Sequence, residues 1–406
     1  MFSVRKNLKV SPESSGAVRS RLAVALAARA HTYKGEVFLM VRVTAAGSSG
    51  ATQIGVTGIG AYVPPLVRTY RETAKAVKMS EQWVLERTGI RQRYMAEAEQ
   101  ATSDLAAHAV RSALTSAGLS AEQLDLIIVG TTTPDEICPS TACRVQALVG
   151  ARRAVALDVS AACSSWLFGI QVARQWLATN DDIEHAVVVG SEVYSRFLDF
   201  SDRATASLFG DGAAATVLSR VPRTEGFGLI TLASDGTQAE HAFIPGGGSR
   251  RPASEATLRE RAHAVRMDGR AARMFVYEVF PQMIDQSLSS AGLKPEDIKV
   301  VISHQPNPVL LRKAYAKTGL PEERLVVIGG QVGNLGAGSL PYALAQAAAE
   351  GRLQPGDKAL IVAFGAGLTW GSTILTWSGA AVPDPASFGH VRKRRTPPAV
   401  RNTPRP

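Results

Sequence analysis

The feature that most constrains the fold is a repeated alternation between short apolar runs and segments of helical periodicity. Within residues 51–379 the apolar runs are rich in Val, Ile, Leu and Ala, and helix-like stretches separate them. Such alternation is typical of an α/β protein. The predicted strands are 125–129, 154–159, 186–189, 213–218, 300–302, 325–328 and 359–363. The predicted helices are 102–117, 166–178, 274–291 and 341–350.

This organisation occurs twice along the chain. The chain distance between two strands of the first part, 126–129 and 186–189, recurs between two strands later in the sequence. The repeat predicts two similar halves, residues 51–225 and residues 226–379. Ligands of such folds lie at the carboxyl ends of the strands, so the loops after those ends are where we expect chemistry.

The two ends of the chain carry its formal charge of +10. Residues 1–50 have a net charge of +6 and residues 380–406 have +5, which leaves the part between them at −1. Both ends are basic and rich in Pro, Ser or Ala, so we expect them to be disordered. For the first, an over-extended start, with Met40 as a second start, is the favoured explanation. A neutral centre and tails without interleaved aromatic residues argue against nucleic-acid binding.

The composition also indicates the cellular setting. Of the 406 residues, 45% are hydrophobic, and no stretch approaches the ~18 uninterrupted apolar residues that a membrane span needs. The three cysteines, Cys138, Cys143 and Cys163, indicate no disulfide framework. We therefore expect a soluble, cytoplasmic protein with no membrane partner.

One candidate nucleophile follows a predicted strand. Cys163 lies after the strand at 154–159, where small residues lead into a helical pattern. A thiol at a helix N-terminus feels the positive end of the helix dipole, which lowers its pKa and favours the nucleophilic thiolate. A buried, unreactive cysteine is the alternative interpretation, and it is the favoured one for Cys138 and Cys143.

Two further loops carry groups that can assist such a nucleophile. His304 directly follows the strand at 300–302 and can polarise a carbonyl or accept a proton. Asn334 lies in a glycine-rich loop, and its amide can donate to a developing enolate oxygen. A structural histidine and an ordinary turn asparagine are the alternatives. The segment 364–371 could form an oxyanion hole from backbone N–H groups, but it lacks the Lys-Ser/Thr pair of a phosphate loop.

Together, these loops resemble the β-ketoacyl-acyl-carrier-protein synthase III family of thiolase-fold condensing enzymes. The resemblance covers residues 51–379 and implies an α/β, thiolase-like fold. In that fold two pseudo-symmetric βαβαβαββ halves give a five-layer αβαβα arrangement. The matching segments are 57–64 (TGIGAYVP), 86–91 (ERTGIR), 158–166 (DVSAACSSW), 209–213 (FGDGA), 304–305 (HQ), 333–334 (GN) and 364–371 (FGAGLTWG).

The resemblance implies an acyltransferase that works through three side chains of this sequence. An acyl thioester acylates Cys163, and a malonyl thioester then enters the site. His304 and Asn334 stabilise the enolate that forms as CO2 leaves, and the backbone N–H groups of Cys163 and Ala366 hold the oxyanion. No metal and no bound cofactor are implied, because two uncharged donors replace a metal and coenzyme A thioesters are substrates.

The resemblance also assigns the binding of coenzyme A and the partners. Trp83, Arg87 and Arg203 match positions that grip the adenine and phosphate groups. Gly269 matches a glycine that lines the pantetheine tunnel, and Asn307 is assigned to the same coenzyme A site. A homodimer is implied, with acyl carrier protein as a further candidate partner.

Several positions depart from the pattern of the family. Cys138 occupies the position from which the partner subunit projects a bulky aromatic into the acyl pocket, so a longer, branched or aromatic acyl group would fit. Val309 replaces the basic residue where carrier protein docks, with Arg312 as a candidate substitute. Arg270 and Arg273 stand near the tunnel, where relatives often have smaller or apolar residues. These departures favour a specialised role, as in polyketide or antibiotic biosynthesis.

Two other functions remain open at this point. An acyltransferase of the same fold could pass the acyl group from Cys163 to a hydroxyl or amine of a small natural product, with His304 as the base and no decarboxylation. An inactive partner subunit is the non-enzymatic alternative, against which the intact set of Cys163, His304 and Asn334 argues.

Overall fold

The computed structural model of the chain describes residues 29–33, 36–42, 52–382 and 388. The strands are β1 (Arg29–Tyr33), β2 (Glu36–Arg42), β3 (Thr52–Tyr62), β4 (Leu66–Thr69), β5 (Gln92–Met95), β6 (Leu126–Gly130), β7 (Val155–Val159), β8 (Ala186–Glu192), β9 (Gly212–Pro222), β10 (Gly226–Phe227), β11 (Thr231–Ser234), β12 (Ala242–Phe243), β13 (Arg266–Met267), β14 (Val300–Ser303), β15 (Lys358–Gly365) and β16 (Thr369–Thr376). The α-helices are α1 (Tyr70–Ala76), α2 (Glu81–Thr88), α3 (Thr102–Ala117), α4 (Thr141–Val149), α5 (Ser165–Thr179), α6 (Arg203–Ala206), α7 (Glu255–Arg259), α8 (Gly269–Ala291), α9 (Pro308–Tyr315), α10 (Gly329–Val332) and α11 (Ser339–Ala349).

The first half forms a sheet with the strand order β3-β9-β8-β6-β7. Strand β6 is parallel to β7 and β8, whereas β9 runs antiparallel to β8 and to β3. The central strands β6 and β8 are buried along their whole length, which explains why they read as continuous apolar runs rather than as an alternating pattern.

The second half repeats the order of the first four of these strands as β11-β16-β15-β14, with β10 also paired to β16. The prediction of a strand at 325–328 is wrong. This segment forms only an isolated bridge, between Leu325 and Val301. The side chain of Gln305 takes the place of a neighbouring strand there. Its amide donates to the Val326 carbonyl at 3.0 Å and its oxygen accepts from the Ile328 N–H at 3.1 Å.

The helices form layers on and between the two sheets. Helices α5 and α11 pack between the sheets, within one apolar core that draws on both halves. Helices α3 and α4 cover the outer face of the first sheet, and α8 and α9 cover the outer face of the second. This arrangement confirms the predicted five-layer αβαβα fold, and it brings the carboxyl ends of strands from both halves to one region.

Two pieces of the basic extensions belong to this structure. Within residues 1–50, where we expected disorder, β1 and β2 form a hairpin whose second strand pairs with β11. Near the other end, Phe388 is fully buried, its carbonyl accepts from the Val63 N–H at 3.1 Å, and its ring packs against Tyr342. The other residues of the two extensions, for which we also expected disorder, lie outside the described residues.

Candidate active site

Cys163 lies in a tight turn between β7 and α5. A single 3-10 turn (Ala162–Ser164) follows the strand, and Ala162 has a φ of +48°, a left-handed conformation that residues other than glycine seldom adopt. Strained backbone of this kind is concentrated at functional sites, because the surrounding structure must hold it in place. Here it presents Cys163 at the start of α5, as the sequence predicted.

Burial, rather than the helix dipole, sets the protonation state of Cys163. We expected a lowered pKa, but removal from water raises the pKa of the thiol to about 12, and the nearby carboxyl of Glu192 adds to the rise. A hydrogen bond with Tyr194 opposes the rise. The expectation of a ready thiolate is therefore wrong, because near neutral pH Cys163 is a thiol in this structure.

His304 is placed by the end of β14. Its backbone N–H donates to the Val362 carbonyl at 3.0 Å, which extends the parallel pairing by one residue, and its ring meets the ring of Phe364 edge to face. The side chain is buried, and desolvation lowers its pKa to about 3. His304 is accordingly an uncharged imidazole near neutral pH, able to donate one hydrogen bond.

Asn334 is fixed by contacts on both sides of its backbone and by its side chain. Its backbone N–H donates to the Leu208 carbonyl, and its own carbonyl accepts from the Gly210 N–H, both at 3.0 Å. The side-chain oxygen Oδ1 accepts from the Gly336 N–H at 2.8 Å. Because the oxygen is engaged in this way, the Nδ2 amide is the group available to donate into the site.

A glycine allows the end of β15 to approach the nucleophile. A Cβ atom at Gly365 would lie 2.7 Å from the backbone nitrogen of Cys163 and 3.1 Å from that of Ser164, which no ordinary side chain permits. Ala366 follows directly and lines the same cavity as Cys163. The residues predicted to contribute an oxyanion hole are thus brought to one place, and the pairing of their N–H groups remains a prediction.

One cavity of about 770 Å³ joins nearly all of the predicted site residues. It contains Cys163, His304, Asn334 and Ala366, together with the residues predicted to bind coenzyme A: Trp83, Arg87, Arg203, Gly269 and Asn307. These residues come from both halves of the chain. The cavity therefore collects the predicted set at the carboxyl ends of the strands, where ligands of such folds bind.

The local structure explains how the outer residues reach the cavity. Trp83 and Arg87 are one helical turn apart on α2, so they share a face of that helix. Arg203 begins α6 and Gly269 begins α8. Asn307 caps α9, where its side chain accepts from the Leu310 N–H at 2.8 Å.

Of the positions that depart from the family pattern, some line the cavity and others lie on the surface away from it. Arg273 lines the cavity, beside Gly269, whereas Arg312 forms an exposed ion pair with Glu322. Cys138 is exposed and does not line the cavity of its own chain. Its predicted role involves the pocket of a partner subunit and stays a prediction.

Sequence reasoning missed three polar residues around Cys163. Thr132 follows β6, and Glu192 and Tyr194 lie at the end of β8; Thr132 and Tyr194 line the cavity. The same carboxyl-end rule that identified Cys163 and His304 could have identified these residues, since all three lie where predicted strands end. Their contacts, however, link segments far apart in the chain.

The described residues contain neither a metal-binding cluster nor a membrane-spanning helix. No group of three or more His, Cys, Asp or Glu side chains in the described part of the chain could hold a metal ion. None of the helices in residues 52–382 is both long enough and apolar enough to cross a membrane.

Comparison with known proteins agrees with the geometry. A family model described as 3-oxoacyl-[acyl-carrier-protein (ACP)] synthase III matches residues 157–236, and its C-terminal counterpart matches residues 288–377. A β-ketoacyl-[acyl-carrier-protein] synthase III of Caldanaerobacter subterraneus subsp. tengcongensis is 40% identical over 326 residues, which is 80% of this chain and 98% of that protein.

Solved structures are similar over the same part of the chain. The 3-oxoacyl-(acyl carrier protein) synthase III of Pseudomonas aeruginosa PAO1 superposes with a TM-score of 0.75 at 35% identity, covering 82% of this chain and all of that one. The priming β-ketosynthase of the R1128 polyketide pathway has a TM-score of 0.73 at 28% identity, covering 81% and 97%. The chain therefore belongs to the 3-oxoacyl-acyl-carrier-protein synthase III family of enzymes.

Proposed function

We propose that this chain catalyses a decarboxylative Claisen condensation between an acyl-CoA and a malonyl thioester, through an acyl-enzyme on Cys163. One observation carries the proposal: a thiol, an uncharged imidazole and an amide donor from both halves of the chain meet in one cavity. After Cys163 is acylated, the second substrate must form a carbanion that is stabilised but not protonated. Two neutral hydrogen-bond donors can do this.

The first step loads the enzyme. The sulfur of Cys163 attacks the acyl thioester, the backbone N–H groups of Cys163 and Ala366 hold the oxyanion, and free coenzyme A leaves. Trp83, Arg87 and Arg203 would bind the adenine and phosphate groups by stacking and charge, because guanidinium groups suit phosphate oxygens. Neither Arg87 nor Arg203 forms an ion pair within the described residues, so both are available.

The second step forms the carbon–carbon bond. A malonyl thioester enters, and His304 and the Nδ2 of Asn334 donate hydrogen bonds to its thioester carbonyl. As CO2 leaves, these donors stabilise the enolate, whose carbon then attacks the ester on Cys163. An uncharged His304 suits this role, because a charged imidazole would protonate the enolate that it is meant to hold.

A specialised role in polyketide or antibiotic biosynthesis is part of the proposal. Support comes from the departures at Cys138, Val309 and Arg273 and from the likeness to a polyketide priming synthase. Tyr194, Phe209 and neighbouring apolar side chains form a small cluster at the cavity wall, which would contact the acyl group.

Two proposals concern partners. Strand β7 pairs only with β6 within the described residues, and Val155 on it, Leu148 nearby and Ile137 are large exposed apolar side chains. We propose that a second copy of the chain covers this edge and places its Cys138 near the first copy's acyl pocket. Sedimentation of the full chain tests this: a dimer that Val155→Lys converts to monomer supports it, and a wild-type monomer contradicts it.

Acyl carrier protein, as the carrier of the malonyl group, is the other proposed partner. Arg87, Arg273 and Lys313 line a second, adjoining cavity near Asn307 and Val309, with Glu86 as the acidic residue there. Such a basic surface suits an acidic carrier. The cytoplasmic location predicted from the sequence stays a prediction.

The deciding experiment has two readouts. A panel of acyl-CoA thioesters is scored by the mass shift on Cys163, and carboxyl-labelled malonyl thioester then reports CO2 release. Acylation followed by CO2 release and a 3-oxoacyl product supports the condensation. Acylation followed by transfer to an alcohol or amine, with malonyl left intact, would instead show the acyltransferase alternative.

A further inference from the structure

A buried cation that the proposed reaction does not use lies beside the loop that carries Asn334. Arg93, on β5, is only 2% exposed, and a Cβ atom at Gly333 would lie 3.2 Å from the Cβ of Arg93. Burial and the charge of Arg68 lower the pKa of Arg93 to about 9, and the carboxylate of Asp211 opposes this only in part. The guanidinium is charged near neutral pH, yet no carboxylate of the described residues forms an ion pair with it. A buried charge without a paired counter-ion is costly to maintain, so its position needs a physical explanation.

The guanidinium of Arg93 binds neutral oxygen atoms of two other segments. Its Nη1 donates to the carbonyl of Ala206 at 2.6 Å and to that of Phe209 at 3.4 Å. Its Nη2 donates to Thr73 Oγ1 on α1 at 2.6 Å, and α1 packs against α2, which carries Arg87. Hydrogen bonds from a charged donor are roughly twice as strong as neutral ones. Arg93 therefore holds the segment 206–209 and α1 firmly in place.

One end of the segment 206–209 continues the helix of a residue predicted to bind coenzyme A. Helix α6 has only four residues, begins with Arg203 and ends with Ala206. A helix this short is not stable by itself, because its first turn costs more conformational entropy than its hydrogen bonds return. The side chain of Asp202 caps its start by accepting from the Ala204 N–H at 2.9 Å. At its end Arg93 supplies both a donor for a free carbonyl and a positive charge that suits the helix dipole.

The other end of the segment 206–209 holds the loop of Asn334. The Leu208 carbonyl accepts from the Asn334 N–H, and the Gly210 N–H donates to the Asn334 carbonyl, both at 3.0 Å. Phe209 and Asn334 therefore face each other as a parallel bridge. A Cβ atom at Gly210 would lie 3.1 Å from the Cβ of Arg93, so the cation packs directly against this bridge. Arg93 does not line the catalytic cavity and supports the bridge from outside it.

We propose that Arg93 is a positioning residue that holds both Arg203, for coenzyme A, and Asn334, for the enolate, in place at the cavity. The inference rests on the proposed function, in which Arg203 binds the first substrate and Asn334 acts on the second. Among the described residues, Arg93 makes no hydrogen bond to the turns of Cys163 and Ala366. The acylation step itself should therefore not depend on Arg93 once acyl-CoA is bound.

The test compares the two reaction steps in Arg93→Met, which keeps an unbranched side chain but removes every donor of the guanidinium. The KM of acetyl-CoA for acylation, followed as the mass shift on Cys163 in the full chain, should rise about 10-fold, the size of a lost hydrogen bond to a charged group. The rate of acylation at saturating acetyl-CoA should stay within about 2-fold of the wild type. CO2 release from malonyl thioester should fall by about 30-fold, because a displaced Asn334 loses much of its effect as a donor.

A second buried arginine provides the matched control. Arg174 is 7% exposed and does not line the cavity, and its Nη1 donates to the Gly228 carbonyl at 2.7 Å. Arg174→Met should lower the free energy of unfolding but change neither the KM nor CO2 release. If folded Arg93→Met behaves like Arg174→Met, or slows acylation and CO2 release by the same factor, the positioning role is refuted. Should Arg93→Met not fold, Arg93→Lys decides: an ammonium cannot replace the fork of donors, so changes of about 3-fold in both quantities support the role and wild-type values refute it.

Failure of the proposed function would look different. The affinity for free coenzyme A, measured by isothermal titration calorimetry, needs no turnover and reports on Arg203 even in a chain that does not condense. A wild type that binds coenzyme A without condensing overturns the proposed function alone, and Arg93→Met should still weaken that binding about 10-fold. An unchanged affinity in Arg93→Met overturns the inference alone. A wild type that does not bind coenzyme A overturns both.

Discussion

The two halves of this molecule share a strand order but supply opposite kinds of chemistry to the cavity between them. The first half contributes Cys163 and Tyr194, whose side chains each carry a proton that ionisation would remove. The second half contributes His304, which burial keeps uncharged, and Asn334, whose oxygen is engaged so that its amide faces the site. A duplicated scaffold thus places a charge-forming side opposite a charge-stabilising side.

The halves also differ in how they finish their sheets. In the first, β7 is a regular strand that pairs, among the residues the structure describes, with β6 alone, and Cys163 follows it. In the second, the segment at 325–328 is held mainly by the side chain of Gln305, and the loop bearing Asn334 comes after it. An open strand edge suits pairing with another chain, whereas a side-chain clamp closes the edge within one chain.

The largest effect is expected from removing the nucleophile of the first half. Cys163→Ala should abolish acylation, because no other residue of the described cavity is a thiol. Intact-mass analysis after incubation with acyl-CoA measures it, and Cys143→Ala, at an exposed cysteine, is the control. A residual acyl adduct on the Cys163→Ala chain would place the nucleophile elsewhere.

The next largest effect is expected from Asn334 of the second half, and it should change one of the two reaction steps without the other. Asn334→Ala should lower malonyl decarboxylation by about 1000-fold, the upper range for loss of one donor to a developing oxyanion. Acylation of Cys163 should stay close to the wild-type rate, because Asn334 acts on the second substrate. Rates of CO2 release and of acylation are compared, and equal loss of both would contradict the division of labour.

A core contact ties the first half to the second through the C-terminal extension. Phe388→Ala should reduce the free energy of unfolding by about 3 kcal/mol, because a fully buried ring is lost between β3 and α11. Denaturant unfolding measures it. Truncation after Phe388 is the control and is expected to preserve stability; a large loss on that truncation would show that later residues contribute.

The close approach of β15 to the nucleophile is a steric contact that can be tested alone. Gly365→Ala should lower condensation about 100-fold while the fold is kept, since the new methyl group displaces the backbone of Cys163 and spoils its oxyanion donor. Gly248→Ala, which meets nothing within 4 Å, is the matched control. Wild-type kcat in Gly365→Ala would show that this backbone adjusts freely.

The smallest effect concerns the charge state of the second half. The pKa of His304 is about 3 in the folded chain and ordinarily near 6.5, so the unfolded state binds the extra proton between these values. The stabilising effect of a neutral His304 is therefore complete above about pH 6.5 and is lost as pH falls. Relative to His304→Gln, the wild type should lose about 2 kcal/mol at pH 5 in denaturant melts; parallel curves would contradict a buried neutral imidazole.

Much of the fold and of the site could be predicted from local pattern. Long periodic segments such as 102–117 appear as a helix with the predicted bounds, and Cys163, His304 and Asn334 lie in loops after predicted strands. The strand predicted at 325–328 was wrong, because an apolar run alone does not show whether the segment will pair with a neighbouring strand. Its backbone instead bonds to the side chain of Gln305, which is distant in the sequence. Phe388 could not be assigned to the core, since a single aromatic in a basic tail has no periodicity.

The sequence by itself determined which chemical groups this protein brings to its strand ends, because motif residues and apolar periodicity are local properties of the chain. Only the tertiary structure decided their protonation states and connections. Burial makes Cys163 a thiol and His304 neutral, against the dipole argument for the cysteine. Hydrogen bonds join Thr132 to Glu192 and to Tyr194 across roughly sixty residues of chain, as only folding can arrange. Desolvation and long-range contact depend on neighbours that no local pattern specifies.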